Sequence, residues 1–123
     1  MDAGGALAHL TEISSQVDAA VIADTEGVVL ASTLDDDERA QRMARAALSL
    51  LAAAEHVRGD RPAELAQLDA TMPDGSVFVV RDADRVIAAT TPPEPTVGLV
   101  FYDLKMCLRD AGAPREAEAD ARS

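Results

Sequence analysis

The sequence has very few aromatic residues: its 123 residues include two phenylalanines, one tyrosine and no tryptophan. Hydrophobic residues nevertheless make up 48% of the chain, so a core has to be built from Val, Leu, Ile and the abundant Ala. A chain of this length fits one domain and leaves little room for a second.

Cysteine and histidine are also scarce. The single cysteine, Cys107, excludes an intramolecular disulfide bond, and this predicts a cytoplasmic protein. Only His9 and His56 accompany it, so a Cys/His metal site is not expected, and we expect no cofactor. Helical spacing predicts that Cys107 packs as a small hydrophobic side chain.

Positive charge is in short supply, with 11 Lys and Arg against 22 Asp and Glu and a net charge of −11. Nucleic acid and anionic membranes both require a basic surface, so neither is an expected partner. The chain also has no basic, apolar leader at its N-terminus and no run of about 18 uncharged apolar residues, which argues against secretion and membrane insertion.

Motifs that carry enzymatic chemistry are missing: the sequence contains no GxxxxGK[ST], GxGxxG, CxxC, GxSxG or HExxH. We therefore do not expect an enzyme. Arg39, Arg42 and Arg45 could stabilise phosphoryl transfer in a partner's nucleotide site, but solvated ion pairs with nearby acids are the more common role of such residues.

The longest helical segment runs from Asp35 to Arg58, with Asp35 as the predicted N-cap and Gly59 and Pro62 as stop signals. Its apolar residues cover an arc of about 200°, twice the width that packing on one sheet requires. We infer a second contact, with another chain, although a helix sunk in its own core is the alternative. The residues predicted for a dimer interface are Ala46, Leu48, Leu50, Leu51, Ala53, Ala54 and Val57 of this helix, with Leu68 and Ala70 of a later strand.

The remaining pattern predicts a helix over 5–17, a strand hairpin over 19–32 and a three-strand meander over 65–90. The hairpin turn 24–27 needs a positive φ at Gly27. The continuous apolar runs of the hairpin predict cover on both faces, whereas the alternation in 65–72 predicts a half-exposed edge strand. A last helix is predicted to begin after Thr96 and to end at Ala111, before a disordered polar tail.

This order of elements, with VDAAVIADTEGVVLAST near the start and TVGLVFYDLKMCLRDAG near the end, resembles the roadblock/LC7 family. Asp24 and Gly27 fall in the places that match the family's strand–turn–strand, as structural turn residues. The sequence GLV, followed by an acidic residue and Lys-Met, is similar to the corresponding stretch of MglB-like actinobacterial members that are encoded beside a Ras-like GTPase. The resemblance covers roughly residues 5–112, the predicted domain, and leaves 113–123 as the tail.

The resemblance implies a profilin-like α/β (α+β) sandwich of order α-β-β-α-β-β-β-α. Its five-stranded antiparallel sheet has the long helix on one face and the terminal helices on the other. It also implies a non-enzymatic homodimeric regulator or scaffold that binds a small Ras-like GTPase in bacterial signalling. The alternative function is a small-molecule sensor or protein-interaction module, since such sandwiches can open a cavity. The residues predicted to contact the partner are Arg42, Arg45, Leu99, Tyr102 and Met106.

Overall fold

The computed structural model describes residues 2–58 and 65–122, with side-chain environments for 2–57 and 66–112. Three helices and five strands follow in the predicted order α-β-β-α-β-β-β-α. Their bounds are α1 Ala3–Ile13, β1 Ala19–Asp24, β2 Val29–Ser32, α2 Asp37–Arg58, β3 Leu65–Met72, β4 Gly75–Asp82, β5 Arg85–Thr91 and α3 Val97–Arg122.

The strands form one antiparallel sheet in the order β2-β1-β5-β4-β3. β3, β4 and β5 are joined by two-residue turns, as the pairs Met72–Gly75 and Asp82–Arg85 show. β1 completes the sheet by pairing with β5, with Ile22 opposite Ile87. This order confirms the prediction that β3 is an edge strand.

Alternating side chains give the sheet two apolar faces. Ile22, Phe78 and Ile87 point to the face covered by α1 and α3, where the rings of Phe78 and Phe101 meet edge to face at 4.9 Å. On the other face α2 crosses the strands: its first half packs on β1 through Ala40 and Ala44, and its second half on β5 and β4 through Ala47 and Leu51. Alanines on the buried side of α2 let helix and sheet approach closely.

The first helix differs from its predicted range of 5–17. Asp2 is the N-cap and accepts a hydrogen bond from the Gly5 amide at 2.7 Å, so the helix begins earlier, at Ala3. It ends at Ile13 because Ser14 is already extended. Val17 reaches the core from the segment beyond the helix, which explains why it matched the helical spacing.

The cap of α2 is Asp36, not Asp35 as predicted. Its Oδ1 accepts hydrogen bonds from the amides of Glu38 and Arg39, at 2.9 and 3.4 Å, while its carbonyl accepts from Ala40. Three consecutive aspartates are equally good N-cap residues, so the sequence does not rank them. The backbone conformation determines which one caps the helix. The stop signals Gly59 and Pro62 lie outside the described residues.

The prediction that both faces of the hairpin are covered holds for β1, whose four central residues are buried. It is wrong for the second strand: Leu30 of β2 is 43% exposed, and Val28, directly before β2, is 52% exposed. β2 is the second edge of the sheet and only four residues long, so the helices do not enclose it.

The last helix begins after Thr96, whose carbonyl accepts the first helical hydrogen bond from Val100. Its inner face is buried as predicted, except that Val97 in the first turn is 44% exposed. The helix continues to Arg122, so the predicted end at Ala111 is wrong; the Ala- and Glu-rich tail sequence favours helix. Ala111 is the last buried residue described on α3, and the disorder of residues 113–123 stays a prediction.

Candidate interaction site

The two shoulders of α2 have different surroundings. On one shoulder, Gln41 donates from Nε2 to the carbonyl of Gly27 at 3.0 Å, and Leu48 lies beside the same glycine. The turn between β1 and β2 therefore covers this shoulder, and Leu48 is half-buried within its own chain.

The opposite shoulder carries four exposed apolar residues, which we call the α2 strip: Ala46, Leu50, Ala53 and Val57. Their spacing of four, three and four residues places them in one row along the helix. Leu50 is 37% exposed and Val57 85% exposed, so this row is the uncovered part of the wide apolar arc. Leu51, in contrast, belongs to the protomer's own core, and Ala54 is half-buried.

The edge strand β3 has apolar residues on the face of the sheet that α2 covers. Leu68 pairs with Val79 in the register with β4, and Ala66, Leu68 and Ala70 are all half-buried on this side. The long helix packs mainly on β1, β2 and β5. An apolar row on α2 and a half-covered, unpaired strand edge thus lie on one face of the molecule.

An ion pair between Glu55 and Arg81 fixes the second half of α2 above β4. Arg81 lies on the α2 face, two residues beyond Val79. Sequence periodicity does not predict this pair, because it joins residues distant along the chain; the one available signal was an arginine directly after the apolar run of residues 77–80.

Arg42 and Arg45 are exposed on the solvent side of α2 and line a shallow surface groove with Glu38 and Gln41. Within the described part of the chain neither arginine forms an ion pair. The expected ion pairs of these two arginines with nearby acidic residues are therefore not formed among the described residues.

Leu99 and Tyr102 are 49% and 61% exposed on the outer side of α3, and Met106 is half-buried there. Because α2 and α3 cover opposite faces of the sheet, these residues lie on the other side of the molecule from Arg42 and Arg45. The structure does not bring the five predicted partner-contact residues together in one protomer.

Asp24 and Gly27 build the turn between β1 and β2. The Asp24 carboxylate accepts hydrogen bonds from the amides of Glu26 and Val28, both at 2.9 Å, and Gly27 has φ of +92°. This turn is what covers the Leu48 shoulder, so its conformation contributes to the shape of the α2 surface.

Three findings bear on other kinds of site. Among the described residues, no three His, Cys, Asp or Glu side chains are grouped so that they could hold a metal ion. No described helix combines the length and apolar character needed to cross a bilayer. Burial, and then the charge of Asp110, raise the pKa of the Cys107 thiol to about 12.

Together these elements define a sandwich in which a five-stranded antiparallel sheet lies between one long helix and a pair of terminal helices. The Roadblock/LC7 domain profile matches residues 6–91 of this chain. The protein belongs to the Roadblock/LC7 family, as the sequence resemblance predicted.

Solved structures share this fold. A Roadblock/LC7 domain from Streptomyces avermitilis superposes with a TM-score of 0.77 at 18% identity, covering 95% of this chain and 99% of that one. MglB from Myxococcus xanthus gives 0.73 at 13% identity, with 94% and 88% covered. The gliding protein MglB from Thermus thermophilus gives 0.58 at 19% identity, with 88% and 86% covered. No curated protein matches the sequence significantly.

Proposed function

We propose that this protein is a non-enzymatic homodimer that binds and regulates, or positions, a small Ras-like GTPase in a bacterial signalling system. The observation that carries the proposal is the α2 strip beside an unpaired β3 edge, in a chain of the Roadblock/LC7 family. The sequence resemblance implies both the dimer and the GTPase.

The dimer would bury the α2 strip against the same strip of a second copy, and pair β3 with its equivalent. A row at this spacing forms a seam between two helices, and the small side chains of Ala46 and Ala53 permit close approach. Exposed strand edges are ordinarily blunted or paired, and β3 carries Leu68 and Ala70 where pairing would cover them. A two-fold dimer uses the same patch on both copies, which suits a single apolar surface.

Two surfaces are available to the GTPase: the basic pair Arg42 and Arg45 on α2, and the apolar residues Leu99, Tyr102 and Met106 on α3. Arg, Tyr and Met are all enriched at interfaces. The chain lacks a phosphate-binding loop with its lysine, so nucleotide hydrolysis would belong to the partner.

Titration calorimetry tests this proposal, with the purified protein and Ras-like GTPases of the same organism, loaded with GDP or a non-hydrolysable GTP analogue. We expect saturable binding, and a difference between the two states would indicate regulation rather than scaffolding alone. Two double variants then locate the surface: Arg42→Ala with Arg45→Ala, and Leu99→Ala with Tyr102→Ala. All four side chains are exposed, so both variants should fold.

Only the variant on the binding surface should lose affinity. If none of the organism's Ras-like GTPases binds the wild-type protein in either nucleotide state, the proposal is wrong, and the small-molecule sensor becomes the leading alternative.

A further inference from the structure

The two terminal helices leave a groove of about 220 Å³ between them, on the side of the sheet away from α2. Its lining is apolar apart from two aspartates, one histidine and the tyrosine hydroxyl, and it includes no lysine or arginine. The lining residues are Ala6, His9, Leu10, Ile13, Tyr102, Asp103, Met106, Cys107 and Asp110. The groove therefore combines apolar walls with negative charge.

Asp103 is the unusual member of this lining, because only 8% of the residue is exposed. Within the described part of the chain its carboxylate has no hydrogen-bond or ion-pair partner. Among the described residues, Ser14 Oγ is the one buried side-chain oxygen or nitrogen without a hydrogen-bond partner, so the Asp103 carboxylate oxygens are open to the groove. The fold thus retains an acidic group in the groove that its own described residues do not neutralise.

Asp110 strengthens the negative field of the groove. It lies seven residues, or about two helical turns, after Asp103 and so on the same side of α3. Its charge is close enough to Cys107 to contribute, after burial, to the raised pKa of that thiol. The groove therefore has two carboxylates along one wall, with the cysteine on the same helix between them.

From this geometry we propose that the groove between α1 and α3 binds the guanidinium or ammonium group of an arginine or lysine side chain that a partner protein inserts. Asp103 accepts hydrogen bonds from the cation, most strongly from a guanidinium, which matches a carboxylate with two parallel bonds. Ile13 and Met106 contact the aliphatic stem, and the Tyr102 ring stabilises the charge.

The size of the groove and its rim decide between a protein and a free small cation. Small-molecule sites usually occupy about 300 to 1,000 Å³, so a groove of about 220 Å³ suits one side chain. Of its lining residues, Ile13 and Tyr102 are 52% and 61% exposed and form an apolar rim. A small amine leaves this apolar rim in water, whereas a polypeptide covers it. The net charge of −11 further favours a basic partner.

This site lies on the other face of the sheet from the proposed dimer surface. It shares Tyr102 and Met106 with the α3 surface offered to the GTPase, but its test uses no GTPase, so the two proposals can fail separately. Selection of short linear peptides from a random display library on the full-length protein tests it. We expect enriched peptides to carry an arginine or lysine next to apolar residues. Enrichment of peptides without a cationic residue would overturn the proposal.

The best enriched peptide is then titrated calorimetrically against matched variants. Asp103→Asn should weaken binding about tenfold, because a charged hydrogen bond is lost, and Asp110→Asn should weaken it less. Asp74→Asn removes an exposed carboxylate in the β3–β4 turn and should leave affinity unchanged. Equal affinity of wild type and Asp103→Asn would contradict the proposal.

Two further measurements separate the remaining explanations. Asp103→Asn should melt near the wild-type temperature, because the Asp103 carboxylate bonds to no described residue and is open to the groove; a clearly lower melting temperature would assign Asp103 a structural role. Tyr102→Ala changes an exposed residue and should also weaken binding of the peptide. This variant keeps the test valid if Asp103→Asn fails to fold. Butylguanidinium that binds as tightly as the peptide would assign the groove to a free cation instead.

Discussion

Gly75 lies so close to Thr91 that a β-carbon on Gly75 would be 2.0 Å from the Thr91 carbonyl oxygen. This contact is between backbones, at the point where the β3–β4 hairpin meets the end of β5. The φ of Gly75, +154°, is also one that residues with a side chain rarely adopt. Only glycine fits here, and the position of the β3 edge depends on it.

Gly75→Ala should therefore lower the free energy of unfolding by at least about 2 kcal/mol, from the clash and the strained φ together. Chemical denaturation measures the loss. Gly98→Ala is the matched control, since a β-carbon there meets nothing within 4 Å in α3, and it should be neutral or slightly stabilising. Equal stability of the two variants would mean that this contact does not constrain the hairpin.

Gly27→Val should lower the free energy of unfolding by about 1 to 3 kcal/mol. An added β-carbon meets Leu48 Cδ1 at 3.6 Å, which is ordinary contact, so we expect the cost to come mainly from the φ of +92°. Thermal melting checks it. Asparagine tolerates positive φ better, so Gly27→Asn should lower the free energy of unfolding by less. If the two variants lose the same stability, φ is not the cause.

We expect a homodimer in solution that a charge on the α2 strip dissociates. Leu50→Glu places a carboxylate in the proposed seam, and light scattering at micromolar concentration should show a monomer. Leu30→Glu is the control, because Leu30 is similarly exposed, at 43% against 37%, but lies on the opposite edge strand. A monomeric wild-type protein, or loss of the dimer in both variants, would contradict the assigned surface.

The Cys107 thiol should make stability fall at high pH. Its pKa rises from 9.0 to about 12 on folding, so the folded state holds this proton more tightly than the unfolded state. The stabilisation is complete below pH 9 and is lost as pH rises towards 12, by about 1.4 kcal/mol per pH unit at most. Urea denaturation at pH 8, 9 and 10 should show the stability gap between wild type and Cys107→Ala narrowing above pH 9; a constant gap would exclude this linkage.

Periodicity and turn chemistry predicted most of the fold. The range of β3 was predicted residue for residue, because its alternation, bounded by Pro73 and Asp74, has one interpretation. The three aspartates at 35–37 could not be ranked as caps, and Val17 matched a helix from outside it, because spacing alone does not distinguish these cases. These errors lie at the ends of elements, where local signals are weakest.

Surfaces were harder to predict than elements. The width of the apolar arc on α2 indicated a second contact, but not which shoulder was free, since Leu48 and Leu50 both lie at its margins. That depends on where the 24–27 turn docks, which is a tertiary property. For the same reason the sequence grouped Arg42 with Tyr102, which the sheet separates, and gave no sign of the buried Asp103.

The position of β1 inside the sheet, beside the central strand β5, affects how this protein folds. The hairpin β1–β2 and the meander β3–β4–β5 each join neighbours along the chain, and such local pairings form quickly. Pairing of Ile22 with Ile87 must instead close a loop that contains β2, α2, β3 and β4. We expect this closure to limit the folding rate, so that Ile22→Val slows refolding while changes at the β3–β4 turn mainly speed unfolding.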